Sequence, residues 1–326
     1  MKLEEKIFNI QSKADFTEVC LDVFRYQFDN TSVYQKYCRL LNCHPNAITQ
    51  IEEIPFLPID FFKHEKVLHQ HQSSQLEFMS SGTTGQQRSV HHVADVALYE
   101  KSCLNTFEYF YGPIEEYTVL ALLPSYLERD NSSLVHMAND FINRSASEES
   151  GFYLNNLNEL TETLQKLEAK GQKTLLIGVT FALLDLAENN QLNLNNTIVM
   201  ETGGMKGKRK EMIRQEVHTI LKEGFKTEVI HSEYGMTELL SQAYSKGHGV
   251  FDLPAHMDIL IRDIEDPLSL VQQGRNGGLN VIDLANLYTC SFIATQDLGR
   301  KISKNQFEVI GRFDNSDIRG CNLMAL

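Results

Sequence analysis

The 326-residue sequence has no tryptophan and only seven prolines. Its six cysteines (positions 20, 38, 43, 103, 290 and 321) contain no Cys-x-x-Cys pair. That excludes the common zinc and redox spacings and leaves free thiols in a reducing compartment as the expectation. Basic charge is scarce: 30 Lys+Arg against 43 Asp+Glu give a formal net charge of −13. A polyanion-binding surface is therefore not expected, and neither nucleic acid nor an acidic membrane face is an expected partner. Long apolar runs are also missing. Leu175 to Ala187 contains Asp185 and is too short to span a bilayer. Met1-Lys2-Leu3-Glu4-Glu5-Lys6 lacks the apolar core of a signal peptide. No transmembrane segment and a cytoplasmic location are the expectation. No internal repeat or low-complexity tract is present.

What is present suffices for a large core, since 42% of the residues are apolar. Up to about residue 50 the pattern is helical. Phe16, Val19, Cys20, Val23, Phe24 and Gln27 share one helical stripe that breaks at Gln27, and Tyr34, Tyr37, Cys38 and Leu41 begin a second, ended by Pro45. The prolines of Ile54–Lys63 impose extended chain, whose aromatics serve either the core or a pocket wall. Leu76–Met79 and Val90–Val93 read as strands and Asp95–Phe110 as a helix. Thr118–Leu123 reads as a strand, Ser125–Ser133 as a polar loop, and Leu134–Ile142 as a helix carrying His136. A lone histidine there is either structural or within reach of a site.

From residue 151 the rhythm is strand and helix in alternation. Helices are expected at Leu157–Lys170, Phe181–Glu188 (Thr180 as N-cap) and Lys206–Leu221. Strands are expected at Thr174–Val179, Thr197–Glu201 and Thr227–Ile230, with short β-type runs at 279–284, 287–294 and 307–310. This alternation predicts an α/β body with largely parallel pairing.

Five stretches carry chemistry. Ser80, Ser81, Gly82, Thr83, Thr84 and Gly85, followed by Arg88, suit a turn that wraps an anion, because glycine frees backbone amides to point inward and hydroxyls add donors. A plain solvated turn has the same composition. Glu201-Thr202-Gly203-Gly204 ends a strand where a flat base can approach the backbone. His231-Ser232-Glu233-Tyr234-Gly235-Met236-Thr237-Glu238 and Thr295-Gln296-Asp297-Leu298-Gly299-Arg300 follow in order. Gly311-Arg312-Phe313-Asp314 comes last.

In this order the stretches resemble the motifs of the adenylate-forming enzymes. The ending, with Arg319-Gly320-Cys321 close to Leu326, resembles the acyl-protein synthetase (LuxE-like) family of that superfamily. The resemblance covers Pro55 to the end. It implies an adenylate-forming large-domain fold, with mixed and parallel sheets flanked by helices and without the usual C-terminal lid domain. The implied divisions are an N-terminal helical segment (1–75), an α/β body (76–312) and a short tail carrying Cys321 (313–326).

It further implies ATP and Mg²⁺ as cofactors. Ser80 to Gly85 and Arg88 would hold phosphates, with Arg88 standing where the family usually has lysine. Gly203, Gly204, Tyr234 and Gly235 would seat adenine, Thr237 would reach the α-phosphate, and Glu238 would hold the metal. Asp297, and Arg312 with it, would fix the ribose. A fatty acid would be activated as acyl-adenylate, moved to a thioester on Cys321 and delivered to an acyl reductase (LuxC-like) subunit. Arg319, two residues from Cys321, would favour its thiolate. Transfer to CoA, a carrier protein or an amine is an alternative acceptor. A catalytically silent nucleotide-binding assembly subunit is the alternative from another class. His231 and Glu233 inherit no role.

Overall fold

The computed structural model describes residues 1–80, 87–123, 131–154, 156–203, 209, 212–272 and 274–313. The N-terminal stripe winds into α1 (Leu3–Phe8), α2 (Lys13–Asn30) and α3 (Ser32–Leu40). The Ser12 hydroxyl accepts from Asp15 N at 3.1 Å, satisfying one of the amides left open at the start of α2. Phe16, Val19, Cys20, Val23 and Phe24 are buried along one side of α2, and so is Gln27. The polar break in the stripe has a purpose. Gln27 Nε2 lies 2.9 Å from the carbonyl oxygens of both Asn286 and Leu287, and its Oε1 accepts from Ser291 N at 2.9 Å. A distant turn is thereby closed by one buried amide.

The Ile54–Lys63 stretch is a strand only at β1 (Leu57–Pro58), which pairs in parallel with Ile293–Ala294, and it then folds into α4 (Phe61–His64). Phe56 and Phe62 are buried in the core, so the core reading applies to them. β2 (Leu76–Met79) and β3 (Val90–Val93) form an antiparallel hairpin with Leu76 opposite Val93 and Met79 opposite Val90. After it comes α5 (Val96–Tyr111), capped by Asp95.

The chain then alternates through β4 (Thr118–Leu122), α6 (Ser133–Arg144), β5 (Gly151–Phe152), α7 (Leu157–Ala169), β6 (Thr174–Gly178), α8 (Thr180–Asn189), β7 (Thr197–Glu201), α9 (Arg214–Phe225) and β8 (His231–Tyr234). These strands lie in the order β5-β4-β6-β7-β8, all parallel. β4 and β6 are buried at every position, as a parallel sheet covered on both faces requires. At β8 the pairing changes. β9 (Ala243–Ser245), β10 (Val250–Asp252), β11 (Met257–Arg262), β12 (Gly277–Asp283), β13 (Phe292–Ser303) and β14 (Gln306–Arg312) continue the same sheet antiparallel, in the order β9-β10-β14-β13-β12-β11. Among the described residues, no helix is long and apolar enough to cross a membrane.

Three sequence expectations are corrected. The strand expected at Thr227–Ile230 begins at His231. Of the helix expected at Lys206–Leu221, residues 206–208, 210 and 211 lie outside the described residues; the described helix is Arg214–Phe225. It runs through Gly224 because that glycine serves contact, not termination: a β-carbon there would lie 2.6 Å from the Ala187 carbonyl oxygen of α8. The helix ends instead at Lys226, in the left-handed region at φ 52°. The β-type run at 287–294 divides, its first half forming the turn held by Gln27 and the rest opening β13. In addition, α8 starts one residue earlier than expected, with Val179 before it, and Thr180 turns its hydroxyl to Glu201 rather than to a helix amide.

Two apolar clusters result. One lies between the parallel strands and helices α5 to α9, and the other joins α2 and α3 to the antiparallel strands. Phe292 centres the second, with Phe24, Tyr34 and Phe56 rings at 6.0–6.1 Å. Gln27→Leu keeps the volume but leaves two carbonyls and one amide unpaired under cover. It should lower stability by about 1–3 kcal/mol, read as a shift of the urea midpoint. An unchanged midpoint would show that water replaces the amide.

Candidate functional site

The parallel strands end on one edge, and the residues that follow them meet the antiparallel half there, where open α/β sheets bind ligands. The hairpin loop comes first. Ser80 N donates to Ser89 O at 3.1 Å and Ser89 N to Ser80 Oγ at 2.9 Å, so the serines at either end clamp the loop shut. Ser81, Gly82, Thr83, Thr84 and Gly85 lie outside the described residues, as do Gly204 and Cys321. Arg88 is exposed just inside the clamp. Gln87 Nε2 reaches the Lys63 carbonyl at 2.5 Å, and Asp60 of the same turn accepts from Gln296 Nε2 at 2.9 Å. The hairpin is thus linked to the Thr295–Arg300 stretch.

The Tyr234–Glu238 segment is fixed from three sides. His91, buried on β3, donates from Nδ1 to the Thr237 carbonyl at 2.8 Å, and burial lowers its pKa to about 4, so the ring is neutral. Asn286 Nδ2 donates to the Glu238 carbonyl at 2.7 Å. Asp283, fully buried, accepts from Leu240 N at 2.8 Å, from Ser241 N at 3.0 Å and from the Ser241 hydroxyl at 2.5 Å. None of these anchors belongs to a recognisable motif. The visible signal is a single polar residue inside an apolar strand, as in Val281-Ile282-Asp283-Leu284.

Tyr234, Asp297, Arg312 and Glu238 come together. The Tyr234 hydroxyl donates to Asp297 Oδ2 at 2.9 Å, while its ring packs edge-on against Phe251 and Phe307. Asp297 and Arg312 are direct cross-strand partners on β13 and β14, with Arg312 Nε 3.2 Å from Asp297 Oδ1. The arginine is 70% exposed and the aspartate 10%. Burial raises the Asp297 carboxyl; Arg312, Tyr234 and Arg262 partly offset it. Burial likewise raises Glu238, which Ser89 and the Arg312 charge pull back while Asp297 pushes it further up. Two covered carboxylates therefore share one field and one exposed cation. Thr237 is half-buried and Gly235 exposed at the same edge.

The glycine turn after β7 is organised by Glu201, a residue the sequence reading did not single out. Its Oε2 accepts from Gly203 N at 2.8 Å and from the Thr180 hydroxyl at 3.1 Å, and its Oε1 from the Ser232 hydroxyl at 2.7 Å. His218 and Arg214 stand 3.5 and 3.7 Å away. Burial alone would raise this carboxyl, but His218, Ser232 and Arg214 outweigh it and hold it at about 2. Gly203 takes φ +76°, which a side chain resists. Arg214 also donates to the Val309 carbonyl of β14 at 3.2 Å, tying this turn to the strand that bears Arg312.

His136 is structural, with Nε2 3.0 Å from Glu100 Oε1 and its ring against Phe78 and Tyr99. Clefts of about 480 Å³ between α9 and β14 and about 790 Å³ along β11 lie elsewhere; neither is lined by Tyr234, Glu238 or Asp297.

The family model for acyl-protein synthetase, LuxE, matches residues 7–325. The chain belongs to that family. It is a family of ligases, and a curated relative is named accordingly: a long-chain-fatty-acid–luciferin-component ligase of Photorhabdus luminescens is 33% identical over 69 residues. Those residues are 21% of this chain and 59% of the relative, less than two thirds of its length. Among solved structures, an open conformation of 2-hydroxyisobutyryl-CoA ligase with 2-HIB-AMP and CoA aligns with a TM-score of 0.66 at 11% identity, over 94% of this chain and 72% of that one. ATP-bound MatB from Rhodopseudomonas palustris aligns at 0.53 and 16% identity, over 72% of this chain and 47% of that one. At these identities the likeness is one of fold. This acyl-protein synthetase family member has the mixed α/β large-domain architecture of adenylate-forming ligases.

Glu201→Gln replaces an acceptor with a group that must point a donor at Gly203 N or at Ser232. The folded pKa lies below the ordinary 4.5, so the stability it confers is complete above pH 4.5 and is lost as pH falls towards 2. The variant should be less stable than the parent by roughly 2–3 kcal/mol at neutral pH, with the gap closing across that acid window in denaturant titrations. A gap independent of pH would rule out the ionised carboxylate as the source.

Proposed function

We propose that this protein activates a fatty acid with ATP, forming acyl-adenylate and pyrophosphate, and then takes the acyl group on Cys321 as a thioester. The observation that carries the reading is the meeting of Tyr234, Glu238, Asp297 and Arg312 at one sheet edge, facing the base of the Ser80–Ser89 loop. In the first step a carboxylate oxygen bonds to the α-phosphorus and the bond to pyrophosphate breaks. In the second, the Cys321 thiolate bonds to the acyl carbon and AMP leaves with the oxygen between them. Sulfur suits this relay because a thiolate attacks well and a thioester is readily passed on. Delivery to an acyl reductase subunit follows from the family reading.

Each residue has a task in this scheme. Asp297, its carboxylate oriented by Tyr234 and Arg312, accepts from ribose hydroxyls. The turn at Gly203 and Gly204, held by Glu201, lets adenine approach the backbone, with Tyr234 and Gly235 beside it. Thr237, with its backbone pinned by His91, orients the α-phosphate. Ser80 to Gly85 and Arg88 hold the outer phosphates; guanidinium grips phosphate oxygens in bidentate fashion, which lysine does not.

Mg²⁺ fits the donor set. Glu238 offers hard carboxylate oxygens, and among the described residues no group of three His, Cys, Asp or Glu forms a closed cage. The ion would thus be held by one carboxylate plus substrate phosphates, the usual arrangement for nucleotide-bound Mg²⁺. When bound it screens the two anions that must meet.

The test follows ATP-, Mg²⁺- and fatty-acid-dependent pyrophosphate release. Glu238→Gln and Asp297→Asn should each lower kcat/KM by on the order of 10²-fold, the scale of one preorganised electrostatic contact. Cys321→Ser should keep pyrophosphate release but lose the alkali-labile acyl label on the protein. Unchanged labelling would remove Cys321 from the mechanism, and would move the acceptor elsewhere.

A further inference from the structure

Arg262 ends β11 and carries its charge into a place where charge is costly, being only 7% exposed. Opposite it on β12 stands Gly278, where a β-carbon would lie 2.7 Å from both Nε and Nη1. The arginine therefore crosses β12 over a glycine, and its guanidinium arrives at β13. Nη1 donates to the Leu279 carbonyl at 2.9 Å and to Asn280 Oδ1 at 3.1 Å, while Nη2 donates to the Thr295 carbonyl. The Phe313 ring, just past the end of β14, covers the group with its centroid 5.3 Å from Cζ. One side chain thus spans four neighbouring strands.

What it reaches leads to Asp297. Leu279 lies where the pairing of β12 with β13 shifts register, between Gly278 and Asn280. Irregularities of this kind re-aim side chains next to sites. The Leu279 carbonyl also accepts from the Thr295 hydroxyl at 2.9 Å, and that hydroxyl oxygen in turn accepts from Asp297 N at 3.1 Å. Thr295 is thus gripped by Arg262 at its carbonyl and holds the backbone of Asp297 with its hydroxyl.

Charge leads the same way. Among the described residues no carboxylate pairs with Arg262 directly, and the carboxylate whose charge reaches it is Asp297. Two arginines offset the burial of that carboxyl, Arg312 and Arg262. Arg312 is mostly exposed and screened by water and salt, whereas Arg262 is covered and screened much less. Stability does not explain such a residue. Taking a charge out of water is costly, and replacing buried charged groups by apolar ones of similar volume is often neutral or stabilising.

We propose that Arg262 is a positioning residue for the nucleotide ribose. Through Thr295 and through its charge it holds Asp297 as an oriented carboxylate, without touching the nucleotide itself. The inference rests on the reading of Asp297 as the acceptor for ribose hydroxyls and adds the group that keeps it fit for that task.

The experiment measures binding of ATP and of 2′,3′-dideoxyATP, which lacks both ribose hydroxyls, to the full chain with Mg²⁺ by titration calorimetry. Fatty-acid-dependent pyrophosphate release is followed alongside. The parent should bind ATP at least about tenfold more tightly, the scale of hydrogen bonds to a charged group. Arg262→Met keeps the apolar stem and should bring that ratio to within about threefold of one, since partners one step behind a ligand act on a tenfold scale. The change should come from weaker ATP binding, with dideoxyATP binding unchanged. Thr295→Val removes the hydroxyl between Leu279 and Asp297, should lower the ratio likewise, and carries the test if the methionine variant does not fold. A purely structural role would lower the fraction of chains that bind and leave both Kd values as they were. That result, or an unchanged ratio in a folded variant, overturns the inference. No ribose preference in the parent removes the role of Asp297, and this inference with it. A preference that depends on Arg262, with no pyrophosphate release from any fatty acid, supports the positioning role and removes fatty acid activation instead.

Discussion

Two carboxylates under cover, Asp297 and Glu238, are the constraint on which the rest of this architecture depends. Moving an ionised carboxylate from water into a protein costs several kcal/mol unless charge or hydrogen bonds answer it. Arg312, Tyr234 and Arg262 answer Asp297 only in part, and Ser89 and Arg312 answer Glu238 only in part. A site left in that condition is ready for cations and for hydroxyl donors. In the proposed scheme Mg²⁺ would supply the first and the ribose of ATP the second.

Holding such groups in place requires stiff supports, and the change of pairing at β8 provides them. The parallel strands deliver Gly203 and Tyr234 to one edge, whereas the antiparallel strands deliver Asp297 and Arg312 to the same edge from the opposite side. Buried polar residues then lock the connections. Glu201 fixes the glycine turn, Asp283 and Asn286 fix the segment after Glu238, His91 ties it to the hairpin, and Gln27 closes the turn before β13. Each sits where water is excluded, so its hydrogen bonds are costly to break and the geometry is correspondingly well defined.

Much of the parallel half was legible from the residues. β4, β6 and β7 are short apolar runs between longer helices, and length together with β-branched content separates the two kinds of element. The candidate residues Tyr234, Glu238, Asp297 and Arg312 were singled out through the order of their motifs, and the structure brings those four together. What the sequence hid has a common physical cause. The helix expected to end at Leu221 runs on to Phe225 through Gly224, a contact point with Ala187, and 287–291 reads as strand but is a turn closed by Gln27 from another helix. His91 and Asp283 act through partners 42 to 198 residues away, and Glu201 joins the Gly203 turn to Thr180 and Ser232, 21 and 31 residues away; no local pattern reports such partners.

The central claim is that an acid oxygen becomes bonded to the α-phosphorus of ATP. Its most direct measurement uses a fatty acid labelled with oxygen-18 in the carboxylate, incubated with ATP, Mg²⁺ and the full chain, followed by mass analysis of the nucleotide products. Adenylation followed by transfer to a thiol predicts AMP carrying one labelled oxygen. Label in inorganic phosphate together with ADP, or AMP without label, would contradict it.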